Sequence, residues 1–241
     1  MLKRALRRLA GRLWRWLWRG VLAFVILSVA FVLLFRVVPP PGSMVMVERK
    51  VQSWIASEPI RLQREWRDWD DMASVAKLAV IAAEDQRFPD HYGFDLIEIK
   101  RAVENRLAGG QLRGASTLSQ QTAKNVFLWS GRSWARKGFE LWFTLLIELA
   151  WGKQRILEVY LNVAEWDTGV FGLEAAAQHY FGVSANALNE RQASLLAAIL
   201  PSPLNRSAAV PSAQVEQRSQ WIRQQMRNLG GAHYLERIAR P

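Results

Sequence analysis

The chain of 241 residues has no cysteine and only three histidines. Disulfide frameworks and thiolate metal sites are thereby excluded, and the composition suits a compartment where free thiols are a liability. His91 stands near Asp85, Asp90 and Asp95, but no H-x-x-x-H pair or carboxylate-rich loop accompanies it, which argues against a catalytic zinc. Period-2 alternation is scarce, so the fold class is mainly α with little or no sheet. Acidic residues are missing altogether from the first 36 positions, which hold eight of the 32 Lys/Arg. The remainder carries 24 basic residues against 21 acidic, so most of the +11 net charge belongs to the N-terminus. A nucleic-acid partner inferred from the basic balance is therefore set aside.

What the N-terminus does contain is a membrane signal. Sixteen uncharged residues, GVLAFVILSVAFVLLF, lie between Arg19 and Arg36. That is slightly short of the roughly 20 needed to cross a bilayer. Val37 and Val38 extend the run, Trp14, Trp16 and Trp18 suit the headgroup region, and the flanking arginines can snorkel. Lys3, Arg4, Arg7, Arg8, Arg12, Arg15 and Arg19 precede it, and the positive-inside rule puts that end in the cytoplasm. A cleaved signal peptide is the competing reading. Bulky FVLLFRVV follows the only small-residue site, Ser28-Val29-Ala30, which favours an uncleaved anchor.

Four regions follow: a basic segment 1–19, an anchor 20–38, a membrane-proximal linker 39–70 and a helical domain 71–241. Pro39-Pro40-Pro41-Gly42 makes a stiff exit, and residues 44–70, with Trp54, Trp66 and Trp69, read as short helical pieces. Helical patterns then cover 72–85, about 95–108, 117–128, 134–151, 153–163, 172–181, 190–200 and 214–229, with Gly or Pro at most joints.

Three segments offer chemistry. The apolar run SVAKLAVIAA stops at adjacent carboxylates in EDQRFPDHYGFD, Glu84 to Asp95, which is compatible with helix termination, a metal site or an acid/base centre. In GASTLSQQTAKN, Gly114 to Asn125, Thr117 and Gln120 have capping-box spacing, so a polar helix start is predicted, able to hold a sugar or a phosphate. A plain capped surface helix remains the alternative. In RKGFE, Arg136 and Lys137 share the helical face of Glu140. With Lys124 and Arg132 they form a local surplus of cations suited to a pyrophosphate. Ser74-Val-Ala-Lys77 matches S-x-x-K, but no K-T-G follows it.

These three segments, with KQRILEVYLNVAEW and QASLLAAILPSPLNRS, occur in the order and spacing of the peptidoglycan glycosyltransferase family. The chain resembles that family from about Val45 to the C-terminus, and with no transpeptidase segment it is similar to the monofunctional members. The resemblance implies a lysozyme-like, mainly α fold with a small membrane-embedded jaw beside a catalytic groove. It implies elongation of glycan chains, with an undecaprenyl-pyrophosphate-linked glycan as donor and lipid II as acceptor, at the inner membrane and beside other cell-wall synthesis proteins. Glu84 matches the catalytic base and Glu140 the second carboxylate. Ser116, Thr117, Gln120, Gln121 and Asn125 match the substrate groove, and Lys124, Arg132, Arg136 and Lys137 the pyrophosphate site. Asp85, Phe88, His91 and Gly93 match residues that shape the loop beside Glu84. No cofactor is demanded, although a divalent cation (Mg or Mn) is compatible with pyrophosphate departure. Glu158, Tyr160 and Asn162 are read as architectural.

Overall fold

The computed structural model describes residues 2–110, 116–131 and 133–239, with side chains from residue 11 onward. The chain divides into two compact units, residues 1–38 and 39–241. The first is one helix, α1 (Leu2–Val37). Its stretch Gly11–Val37 is long and apolar enough to cross a membrane. Leu22, Ile26, Leu33 and the three tryptophans are exposed.

The second unit is helical with one small sheet. Its first helix, α2 (Met44–Ala56), starts at a Ser43 cap whose hydroxyl accepts from the Met46 N–H and ends at Ser57 in the left-handed region. The sequence predicts short pieces here; the structure has a single helix of 13 residues. Ser43 supplies the start signal. After it, β1 (Gln63–Arg64) runs parallel to β3 (Val170–Phe171), which pairs antiparallel with β2 (Glu165–Asp167). Such two- and three-residue strands are too short to show a period, which is why they are absent from the sequence reading.

The centre of this unit is α3 (Ser74–Glu84), where every residue from Ala76 to Ala82 is buried. Lys77, the lysine of the S-x-x-K match, is among them and holds its ammonium 4.1 Å over the Trp69 ring, a structural role. Helix α3 packs against α9 (Glu190–Ile199), α10 (Ala213–Asn228) and the 3-10 segment Gly231–Arg237. A second layer places α5 (Leu118–Phe127) against α6 (Trp134–Ala150) and α7 (Lys153–Val163), with Phe127 stacked on Phe143 at 4.4 Å. The remaining helices are α4 (Leu96–Leu107) and α8 (Leu173–Phe181). Helix α4 buries none of its residues.

Candidate active site

Glu84 is the last residue of α3, so the buried helix ends by presenting a carboxylate at its C-terminus. Its side chain is 13% exposed, and its two oxygens meet different neighbours. Oε2 accepts a hydrogen bond from Gln121 Nε2 at 3.0 Å, and Oε1 lies 3.8 Å from Arg218 Nη2. The Gln121 amide is held in turn by the Tyr160 hydroxyl, which donates to its Oε1 at 3.2 Å. Burial raises the Glu84 pKa above the ordinary carboxylate value; the Gln121 hydrogen bond, Arg218 and Lys124 oppose that rise, and Asp85 adds to it. Burial also holds the Tyr160 phenol well above its usual range. The sequence reading of Tyr160 as architecture is therefore incomplete, because its hydroxyl orients the amide that reaches Glu84.

Asp85 does the opposite job. It is buried, and its carboxylate bonds His91 Nε2 at 2.9 Å and accepts the Leu118 N–H at 3.0 Å. One side chain thus joins the end of α3, the following loop and the start of α5. That start is the anticipated capping box: the Thr117 hydroxyl accepts from the Gln120 N–H, and Gln120 Oε1 accepts from the Thr117 N–H at 3.1 Å. The Thr117 hydroxyl also donates to the Gly93 carbonyl at 2.7 Å. Gly93 has φ +80°, and a Cβ there would sit 2.5 Å from Thr144 Cγ2 on α6. Only glycine lets the loop approach so closely. Phe88, fully buried, lies under the Lys153 ammonium at 4.6 Å. Lys153 also donates to the His91 carbonyl and to Glu148, which accepts from Ser119 as well. Sequence reasoning passes over Glu148 because it sits within the otherwise apolar pattern of α6, and over Lys153 because it stands among the polar residues that open α7.

Glu140 is 3% exposed on α6, with both oxygens occupied from its own helix. Arg136 Nη1 donates to Oε2 at 2.6 Å and Lys137 Nζ to Oε1. Arg136 Nε, also buried, makes no hydrogen bond among the described residues. Lys124 lies electrostatically between the two acids. Burial pushes its pKa down, Glu140 and Glu84 push it up, and Arg136 and Lys137 add to the lowering. Asn125 follows it on α5, half-buried. Arg132 lies outside the described residues.

A groove of about 1040 Å³ opens beside Glu84. Glu84, Asp85, Ser116, Thr117 and Gln121 line one wall, with Glu98, Arg101, Ala102 and Asn105 of α4 and Gln214, Gln217, Arg218 and Trp221 of α10 around it. Lys124, Asn125, Arg136, Lys137 and Glu140 are not among its lining residues. Gln120 is not either; its side-chain carbonyl is taken up by the capping box.

Asp85, His91 and Asp95 bring three metal-ligand atoms within 4.8 Å of one another. They fit a divalent cation poorly. Asp85 is engaged by His91 and the Leu118 N–H, while Asp95 caps α4 through the Ile97 and Glu98 amides and faces Arg87 Nε at 3.1 Å. The guanidinium already supplies positive charge there. Glu140, with a cation on each oxygen, is no better a ligand.

The sequence is similar to those of known proteins. A family model described as transglycosylase matches residues 51–227. The chain is 62% identical over 230 residues to a biosynthetic peptidoglycan transglycosylase of Chromohalobacter salexigens, covering 92% of this chain and 98% of that protein. It is 60% identical over 228 residues to the protein of the same name from Pseudomonas aeruginosa (95% and 98% covered), and 59% over 238 residues to that of Stutzerimonas stutzeri (99% and 95% covered). The chain belongs to the transglycosylase family.

Proposed function

We propose that this protein is a peptidoglycan glycosyltransferase that polymerises glycan chains from lipid II. The observation that carries the reading is a pair of carboxylates in opposite electrostatic settings with a lysine between them. Glu84, held by a neutral amide and kept basic by burial, suits a general base. A sugar hydroxyl is a poor nucleophile, and a carboxylate with a raised pKa takes its proton more readily as the bond to the donor anomeric carbon forms. The proton moves to Glu84, the glycosidic C–O bond forms with inversion, and the anomeric C–O bond to pyrophosphate breaks. Negative charge then collects on the departing lipid pyrophosphate, where Lys124, Arg136 and Lys137 stabilise it. Glu140 orients Arg136 and Lys137, and the buried Arg136 Nε–H remains a donor for a phosphate oxygen. Two carboxylates acting on opposite sides of a sugar follow the logic of inverting glycoside chemistry, with the acceptor sugar in place of water.

The same reading places the chain in the bacterial inner membrane, with the N-terminus cytoplasmic, the groove on the periplasmic side and other cell-wall synthesis proteins as neighbours. Support comes from α1 and from exposed apolar side chains on the second unit. Val47, Val51, Trp54 and Ile55 of α2, Leu96, Val103 and Leu107 of α4, and Trp134 at the start of α6 are all exposed. Such surfaces suit a lipid interface that delivers lipid-linked substrates. At the end of α5, Phe127 and Leu128 pack inward, whereas Trp134 is 93% exposed.

Purified full-length protein in detergent or liposomes, incubated with lipid II, tests the reading. Polymer formation that disappears in Glu84→Gln supports it. Cleavage of finished glycan without polymerisation overturns it.

A further inference from the structure

Arg218 lies on α10, far along the chain from the residues that define the base, and no sequence motif singles it out. Its guanidinium nevertheless reaches the end of α3. Nη2 donates to the Ala83 carbonyl at 3.3 Å and stands 3.8 Å from Glu84 Oε1. The Ala83 bond fixes where the charge sits, at the C-terminal end of α3, where a cation is also favoured by the helix dipole. The side chain is 34% exposed and lines the groove.

We infer that Arg218 is a positioning residue that keeps Glu84 ionised and turned so that Oε1 faces the groove. The inference rests on the proposed role of Glu84 as base. The 3.8 Å separation is the informative feature. A bidentate ion pair at hydrogen-bond distance would hold both oxygens and weaken them as proton acceptors. A guanidinium tied to a backbone carbonyl and set back from Oε1 favours the carboxylate by charge while leaving the oxygen free to meet a hydroxyl. Gln121 completes the arrangement by taking Oε2.

Among the described residues, the other groups facing Glu84 do not replace this charge. Asp85, its chain neighbour, raises the Glu84 pKa, and the Tyr160 phenol on α7 stays neutral. Lys124 on α5 is shared with Glu140 and is itself disfavoured as a cation by burial and by Arg136 and Lys137. Helix α9 brings buried apolar side chains from Leu195 to Ile199. Among the described cations, Arg218 is the one tied to the end of α3 itself, through the Ala83 carbonyl, and it stands 3.8 Å from Glu84 Oε1.

The test compares Arg218→Gln and Arg218→Lys with the parent in full-length protein, measuring kcat/KM for lipid II polymerisation across pH. Loss of the charge makes the carboxylate harder to ionise, so in Arg218→Gln the acid limb moves to higher pH. At a pH on that limb, about a tenfold loss is expected, corresponding to about one pH unit. The rate should recover on the alkaline plateau, and Arg218→Lys should keep the limb close to that of the parent. An equal loss at every pH, or an unmoved limb, overturns the inference. A second readout is independent of turnover: carboxyl 13C signals of glutamate-labelled protein, with Glu84 assigned from Glu84→Gln. The Glu84 titration should move upward in Arg218→Gln, and an unmoved titration also overturns the inference. If the parent makes no polymer, the proposed function fails, while the titration still decides the placement of charge.

Discussion

Gln121 Nε2 on α5 donates to Glu84 Oε2 at the end of α3, 3.0 Å away across 37 positions of chain. The bond joins the two segments that carry most of the polar groups of the groove. Because Tyr160 donates to the other end of the same amide, the orientation of Gln121 is set from both sides.

Burial raises the folded-state pKa of Glu84, so folding favours its neutral form. Below the unfolded-state pKa, about 4.3 for a glutamate, both states are protonated and no penalty exists. As pH rises through the unfolded value toward the folded one, the penalty grows and then stays. Glu84→Gln should therefore raise the melting temperature by a few degrees at neutral pH. The gain should vanish in acid. A variant no more stable than the parent at neutral pH refutes this.

Gln121→Ala removes a donor that favours ionised Glu84, the proposed base. A net hydrogen bond to a charged group is worth about 1.5–3 kcal/mol, so polymerisation near neutral pH should fall by one to two orders of magnitude, on the order of that energy. Tyr160→Phe should lose less, about tenfold or below, since the amide keeps one partner. Equal losses in the two variants would contradict the relay.

Arg136→Met leaves Glu140 buried with Lys137 as the remaining cation of its ion pairs. Breaking a buried ion pair by removing one partner costs about 3–5 kcal/mol; the partial exposure of Lys137 places the expected loss near the lower figure. Chemical denaturation of the variant checks it, and a midpoint unchanged from the parent would show that the pair is screened.

Gly93→Ala forces a Cβ against Thr144 Cγ2 at a positive φ. Overpacking of this kind costs about 1–3 kcal/mol, with roughly 1–2 more for the left-handed backbone. Adding Thr144→Ser removes the clashing methyl and should restore part of the stability. No recovery in the double variant would place the whole cost in the backbone.

The C-terminal 3-10 segment makes a further measurable contribution. The Tyr234 hydroxyl donates to the Gln86 carbonyl at 2.6 Å, and Arg237 pairs with Asp90 at 2.5 Å, so the chain end clamps the loop after Glu84. Burial holds the Tyr234 pKa up at about 12, so this donor is constant through neutral pH. Tyr234→Phe should cost about 1 kcal/mol, seen as a melting point lower by about 2–4 °C, with an unshifted pH profile. A shifted profile would mean that the clamp acts on Glu84 itself.

The helices were legible because their cause is local. The capping box at Thr117 and Gln120, the apolar periodicity of α3 and α6, and the Gly and Pro joints lie within a few residues of what they determine. The length and apolarity of the N-terminal helix are a matter of composition alone. The order of five polar segments identified the family, and adjacent carboxylates at the end of an apolar run marked Glu84.

Other features depended on the folded chain. The short sheet joins residues over 100 positions apart, and strands of two residues carry no pattern of their own. Arg218 sits on a helix rich in arginine and glutamine, and nothing in that pattern distinguishes it from a solvated surface residue. The sequence by itself determined the helices, the apolar N-terminal stretch, the family and the two candidate carboxylates. Only the tertiary structure decided what each carboxylate faces: an amide and a set-back guanidinium at Glu84, two cations at Glu140. The physical reason is that helix formation is governed by neighbours in sequence, whereas basicity is governed by burial and by charges that arrive from distant segments.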